Sequence, residues 1–543
     1  MRALIPLALF AALLAACDDD AKTPGGSNAE CPAAGCPASL ICAAQTCISG
    51  EAPAWRVSLR LLPRSDAPFT AAEVRNLDFN GEAVRTIDVL RLSDRAVIDG
   101  RVLAADGEDL RALAARVTAR AVQGIAVRPL TFTSEASEEV GPPRFALTLA
   151  PFWPIEQDGK RPVRYHLDVR PDEAYRYPPW RVEEFSVPEE GGEVTVELPQ
   201  ADPLPRINGE VLISQTNPTP LAGLRVFAAG ATGERISTES TTDANGRFVV
   251  LFWPDAAESP VTLRARRTAA AGPLPDVDLA ATVPAEGGSG FSRIYLGTLG
   301  STFTASGRIT DGQRPVGGVT LRFRGSVGNG IYQIDAPPTD EDGRFTTTLY
   351  PGRYRVDLEP PADAPYRLGR LEVDVSEDAP LELVVTPRTP VAGVVLDPDG
   401  GPVQGALVEA RLESAAFADP RLNAPGETPP PRAFQVETDE QGRFQLLLDP
   451  GTHRLHVAPG AASGLPALSA PLTVPPLATD LPAVRVTLPP AAALQIALRD
   501  ARGRPAEGVM VEAWRTDGEA PVVIGVGTTD TEGQVTVRVP VIE

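Results

Sequence analysis

The stretch Thr241–Phe248, TTDANGRF, decides the fold. Near-copies stand at 338–345 (PTDEDGRF), 437–444 (ETDEQGRF) and 528–535 (TTDTEGQV). An acid, an acid or amide two places on, then Gly looks like the start of a calcium loop. Such a loop needs several alternating oxygen ligands and a closing bidentate Glu. Only Asp340 and Asp342 keep two aspartates in that spacing, and they are the one metal candidate; elsewhere the second position is Asn245, Gln441 or Glu532. All four copies instead keep Asp with Gly three residues later: Asp243/Gly246, Asp340/Gly343, Asp439/Gly442 and Asp530/Gly533. A type I turn favours that pair, with the Asp side chain bonding local backbone and Gly taking positive φ. The stretch reads as a turn between strands.

Outward from the turn, Phe145, Phe248, Phe345, Phe444 and Val535 recur about every 90–100 residues, the mark of an internal repeat. Each opens an alternating run, such as Phe248-Val250-Phe252 or Phe444-Leu446-Leu448, that ends at a proline. Period two means a strand with one buried face. Tyr165-Leu167-Val169, Tyr354-Val356-Leu358 and His453-Leu455-Val457 supply a second strand. Upstream, Pro220/Gly223, Pro315/Gly318, Pro402/Gly405 and Pro505/Gly508 mark another turn before a further strand. Short strands and frequent turns predict an all-β fold of tandem sandwiches with about seven strands each. One helix is expected over Glu108–Ala121, in a degenerate first copy.

The order GxV, PxxG, TDxxGRF, PGxYxV resembles the carboxypeptidase regulatory-like domain, an Ig-like, transthyretin-like (prealbumin-like) sandwich also grouped with carbohydrate-binding-like folds. The resemblance covers 205–543 clearly and 96–200 faintly. It implies scaffolding, spacing or interaction on an exported protein. The namesake is an accessory domain, so no peptidase activity is implied.

The chain starts MRALIPLALFAALLAAC, a secretory signal by its charge and apolar run. Leu14-Ala15-Ala16-Cys17 is similar to the bacterial lipobox, which implies lipidation of Cys17 and a cell-envelope address, inner or outer membrane left open. No later segment reads as a transmembrane helix. Cys31, Cys36, Cys42 and Cys47 follow within a short exported stretch and read as two disulfides of open pairing; a four-thiolate zinc site would more often show CxxC spacing. The expected organisation is a signal peptide (1–16), a disordered tether (17–30), a cysteine-rich module (31–50) and a partial strand segment (51–95). Five sandwich modules then follow at 96–200, 205–299, 300–388, 389–489 and 490–543, the last truncated. Pro284–Gly290 reads as a flexible link and Thr386–Pro390 as a stiffer one.

The two ends do not match. Residues 55–92 resemble the second half of a module, and the last module lacks that half. The preferred expectation is an independent strand pair packed on the first module. The alternative is that 55–92 completes the last one, in this chain or a neighbour.

A formal charge of −21, with 71 acidic against 50 basic residues, excludes a nucleic-acid partner that needs clustered Lys and Arg. Three histidines leave few parts for catalysis. His453 and His456 lie on a strand, where residues three apart face opposite ways; His453 is expected to pack, and His456 and His166 to face solvent. HExxH, GxxxxGK[ST] and GxSxG are all missing, and neither an enzyme nor a cofactor is predicted. Carbohydrate binding would use exposed rings, and the candidates are Trp153, Trp180, Trp253, Tyr175 and Tyr177, with Trp253 expected to face out of its module. The competing role for these rings is packing between modules. The leading function is therefore a non-catalytic, lipid-anchored structural or adhesive array. The alternatives are a polysaccharide- or peptidoglycan-binding surface protein and an accessory subunit of an envelope or secreted enzyme complex. The expected partners are the membrane through the lipid, and a polysaccharide or an envelope protein.

Overall fold

The computed structural model describes residues 56–540 except 65, 79–83, 107–108, 123–130, 137–141, 156–158, 200–202, 378–379, 424–427, 461–462, 480 and 516–520, together with three short strands before residue 50. The protein is all-β, and its sheets repeat one plan. In the second sandwich a three-stranded sheet runs Arg247–Leu251, Arg206–Leu212, Ser289–Tyr295. A four-stranded sheet, Ser240–Thr241, Arg225–Ala229, Pro260–Arg266, Val277–Thr282, faces it. The strand after the TDxxG turn pairs antiparallel with the first strand, and the last strand pairs parallel with it. The alternation seen in sequence is realised as burial: Arg443–Leu448 reads exposed-buried throughout. The third sandwich (303–384), the fourth (389–487) and the first (96–197) share the plan.

The fifth sandwich is completed from the other end of the chain. Val84–Arg91 pairs parallel with Ala491–Arg499, the place that Ser289–Tyr295 fills in the second. Arg56–Leu62 pairs antiparallel with Met510–Arg515 and then with Ala72–Asp78. This overturns the preferred expectation for 55–92. The same segment also packs on the first sandwich, since one continuous apolar core holds Leu59, Leu61, Leu90, Leu494, Val511, Phe145 and Leu147. A buried ion pair lies at the closure: Arg60 donates to Glu73 Oε1 from Nε at 2.9 Å and from Nη2 at 2.7 Å within the amino-terminal segment, and its guanidinium lies 5.1 Å over the Trp514 ring of the carboxyl-terminal one.

The order of sandwiches is therefore cyclic. The fifth leads into the first through residues 92–95, and the fourth returns to the fifth through 488–490.

Two further expectations are corrected. The helix expected over 108–121 is two strands, Asp109–Leu113 and Ala115–Ala121, the second with Ala115, Val117, Ala119 and Ala121 all buried. Helix propensity of Ala and Arg yields there to a period-two apolar face packed on a sandwich core. Pro284–Gly290 is no inter-module link; it joins Val277–Thr282 to Ser289–Tyr295 inside the second sandwich. Cys17, Cys31 and Cys36 lie outside the described residues. Cys42 and Cys47 oppose each other in register, but the disulfide expectation concerns side chains outside that description. Their hairpin extends the fourth sandwich's sheet through Ile41 and Cys42 beside Val486 and Arg485.

Each repeat aromatic lies across a glycine on the neighbouring strand: Phe145 on Gly100, Phe248 on Gly209, Phe345 on Gly307, Phe444 on Gly393. In the fifth sandwich Val535 instead faces Ile496, beside a register shift between Ile496 and Leu498 in the pairing with Val84–Arg91. At Gly307 a Cβ would lie 2.5 Å from both Leu381 O and Phe345 Cζ. Gly307→Ala should therefore destabilise the third sandwich by about 1–3 kcal/mol, as an overpacked core does, read as a lower urea midpoint.

Candidate functional site

The TDxxG turns are structural latches. Asp243 Oδ1 accepts from Asn245 N and Arg247 N, both at 2.8 Å. Asp439 and Asp530 repeat this with Gln441/Arg443 and Glu532/Gln534. The glycines take φ of 70°, 73°, 69° and 73°. At the metal candidate, Asp340 Oδ1 accepts from Arg344 N at 2.7 Å, and Arg344 Nη1 lies 3.2 Å from Asp342 Oδ2. That geometry engages the carboxylates with an amide and a guanidinium, as a turn requires. The same turn recurs at Asp397 and Asp500, and a turn one residue shorter at Asp311, all of which sequence reasoning passed over.

The threonine before each Asp was also missed. Thr438 Oγ1 donates to Val403 O at 2.6 Å and accepts from Ala406 N at 2.9 Å, clamping the Pro402/Gly405 turn. Thr242, Thr339 and Thr529 do the same for the other PxxG turns. The sequence signal was the joint recurrence of PxxG and TD. Thr339→Val leaves a buried amide and carbonyl without partners and should cost about 1–3 kcal/mol, again measured by urea unfolding.

The aromatic candidates are brought together in part. Trp253 points out of its own core, as parity suggested, but is only 4% exposed because it enters the first sandwich's core. Its Nε1 donates to Pro179 O at 3.0 Å, Tyr177 stacks on it at 6.0 Å, and Trp180 meets it edge-on at 5.7 Å. Trp153 is buried elsewhere in that core. Buried faces cannot stack a sugar, so Trp153 and Trp253 leave the candidate set. Tyr175 is half-buried with Arg111 over its ring at 5.4 Å. Half-buried Trp180 lines a cleft of about 1100 Å³ between the first and second sandwiches, with Asp168, Arg181, Glu183, Glu234 and Asp255.

Trp253 exposes a pattern: in the second, third and fourth sandwiches the residue before the strand-ending proline reaches the sandwich before it. In the third sandwich, Tyr350 Oη donates to Pro273 O at 2.6 Å. In the fourth it is Asp449, fully buried, whose Oδ1 accepts from Leu368 N at 2.8 Å. Arg388 and Arg432, both buried, lie 3.7 and 3.5 Å from its two oxygens. Arg388 also donates to Ala362 O at 2.9 Å, and Arg432 to Pro360 O, so the third sandwich's loop is held by both cations. Sequence reasoning missed Asp449, Arg388 and Arg432. The available signal was one aligned position, Trp253/Tyr350/Asp449, where a large or charged residue stands off the inward parity.

His166 and His456 are less exposed than expected. His453 is buried, while His456 and His166 are half-buried by cross-strand neighbours, with His456 Nδ1 2.8 Å from Ser469 Oγ and His166 Nδ1 2.5 Å from Glu183 Oε2. Among the described residues no group of three or more His, Cys, Asp or Glu is placed to hold a metal.

No family model matches the chain, and no curated protein matches it. Solved structures with some likeness include the Bacillus anthracis TIE protein (11% identity, covering 72% of this chain and 74% of that one, TM-score 0.16). A Streptococcal ancillary pilin follows at 11% identity, 72% and 99% coverage and TM-score 0.17. The shaft pilin SpaA from Lactobacillus rhamnosus GG stands at 10% identity, 38% and 100% coverage and TM-score 0.18. At these scores the likeness carries no argument about function, and the fold rests on the strand pairing itself.

Proposed function

We propose that this is a non-catalytic, exported cell-envelope protein, lipid-anchored through Cys17, whose tandem carboxypeptidase regulatory-like sandwiches form an interaction scaffold. Cys31, Cys36, Cys42 and Cys47 would form two disulfides beside the anchor. One observation carries the reading: the side chains that sequence offered for chemistry hold the architecture together instead. The turn aspartates bond backbone amides, Trp253 locks the second sandwich to the first, and His453 lies inside a core. The cyclic order favours a closed platform over an extended spacer, because the first and fifth sandwiches share one core. Palmitate fed to cells making the full chain should label the protein and place it in the membrane fraction, and Cys17→Ala should abolish both. An unlabelled, soluble wild-type chain would refute the anchor. Crosslinking in whole cells followed by pull-down should then recover envelope proteins.

A second reading, polysaccharide binding, is supported by the cleft that contains Trp180 amid carboxylates and guanidinium groups. Sedimentation with purified peptidoglycan tests it. Retention lost in Trp180→Ala supports that reading, and equal retention removes it.

A further inference from the structure

The fourth sandwich has a histidine where the first and third have tyrosine. Tyr165 Oη donates to Ala150 O at 3.0 Å, and Tyr350 N donates to Tyr354 Oη at 3.2 Å, so each phenol ties its strand to the segment just before it. His453 fills the same place with 0% exposure, its Nε2 2.7 Å from Asp449 O. A carbonyl only accepts, so Nε2 carries the ring proton and Nδ1 has the lone pair. Nδ1 is buried without a hydrogen-bond partner. A proton added there would be a second buried N–H with no acceptor. It would also be a third cation beside Arg388 and Arg432, which face the single carboxylate of Asp449.

Every element around the ring bears on its charge. The turn before the strand supplies Asp449, and Leu407–Ala415 places Leu412 opposite the ring and Glu413 nearby. Arg432 leads into Ala433–Glu437, whose Phe434 ring is 6.4 Å from the imidazole and lies 4.5 Å beneath Arg388. Leu468–Val474 offers Leu472 and has no ionisable residue. The carboxylates favour the imidazolium, but burial outweighs them and lowers the ring below its ordinary 6.5. Asp449 links the ring to the junction, since its carbonyl receives His453 while its carboxylate receives Leu368 and the two arginines.

We propose that His453 is a buried proton sensor, and that its protonation in mild acid frees the Asp449 turn and loosens the third sandwich from the fourth. Above pH 6.5 closed and open forms are both neutral at this ring and the junction is fully stable. Below that, the open form takes up a proton that the closed form resists. Opening then rises by up to about tenfold per pH unit, until the ring's lower native pKa is reached.

Amide exchange at Leu368 and across 451–455 in the full chain, corrected for intrinsic rates, tests this between pH 7.5 and 5.5. The opening constant should rise by up to about tenfold in the wild type. It should stay flat in His453→Tyr, which restores the tyrosine of the sister sandwiches without a group that titrates in this range. Equal responses in the two, or none in the wild type, would overturn the proposal. His456→Gln should respond as the wild type does, and loss of the response there would move the sensor to His456 and sink the idea. If His453→Tyr fails to fold, NMR titration of the wild-type rings decides the matter, because a His453 ring titrating at or above 6.5 contradicts the mechanism.

Discussion

Deleting residues 51–95 from the full-length chain should unfold the fifth sandwich. Limited proteolysis is then expected to cut between 491 and 540 more readily than in the intact protein. The deleted segment supplies Arg56–Leu62, Ala72–Asp78 and Val84–Arg91, and with them Val57, Leu59, Leu61, Ile87 and Leu90, all buried. At about 1.5–3 kcal/mol for each buried side chain, the loss equals or exceeds the few kcal/mol by which a small domain is stable. Breakage continues past the fifth sandwich, since its core is shared with the first. A separate polypeptide spanning 51–95 should restore protection when added in trans, because the strand contacts are the same from either source. Unchanged cleavage in the deletion would show that residues 491–540 hold together alone.

Asp449→Ala should cost about 3–5 kcal/mol, the typical price of leaving a buried charge without its partner. The substitution strands Arg388 and Arg432 in a dry site and removes the acceptor for Leu368 N. Asp449→Asn keeps an acceptor for that amide and should lose less. By contrast, Asp439→Ala removes an exposed turn acceptor and should cost only about 1 kcal/mol. Urea unfolding of the three variants gives the ranking, and an Asp449→Ala midpoint equal to that of Asp439→Ala would mean the two arginines find other partners. The pH responses differ as well: Asp449 variants weaken the junction at every pH, whereas the His453 effect is confined to acid.

Strands, turns and their order were legible because they are local. Period two in Phe444-Leu446-Leu448 states which face is buried, and Asp439 with Gly442 states where the chain reverses. Neither states what the buried face meets. Trp253 shows this: parity indicated that the ring leaves its own core, but the ring is covered by Tyr177 and Trp180 of the first sandwich. The stretch 108–121 shows the opposite failure, for its Ala- and Arg-rich composition suits a helix in isolation and the packed face of Val117 overrules it. Asp449 gave no local sign of burial because its partners come from a linker, a neighbouring strand and another sandwich.

By itself, the sequence determined a repeating all-β unit and the turns that punctuate it, and it left open where the strands of 55–92 belong. Only the tertiary structure decided that 56–91 completes the fifth sandwich, that the sandwiches follow a cyclic order, and that a pre-proline residue keys three of the junctions. Local patterning records whether a side chain avoids water, over a few residues. The pairing of Val84 with Ala493 leaves no trace at that range, because a strand edge accepts any partner of matching register until the rest of the chain brings one to it.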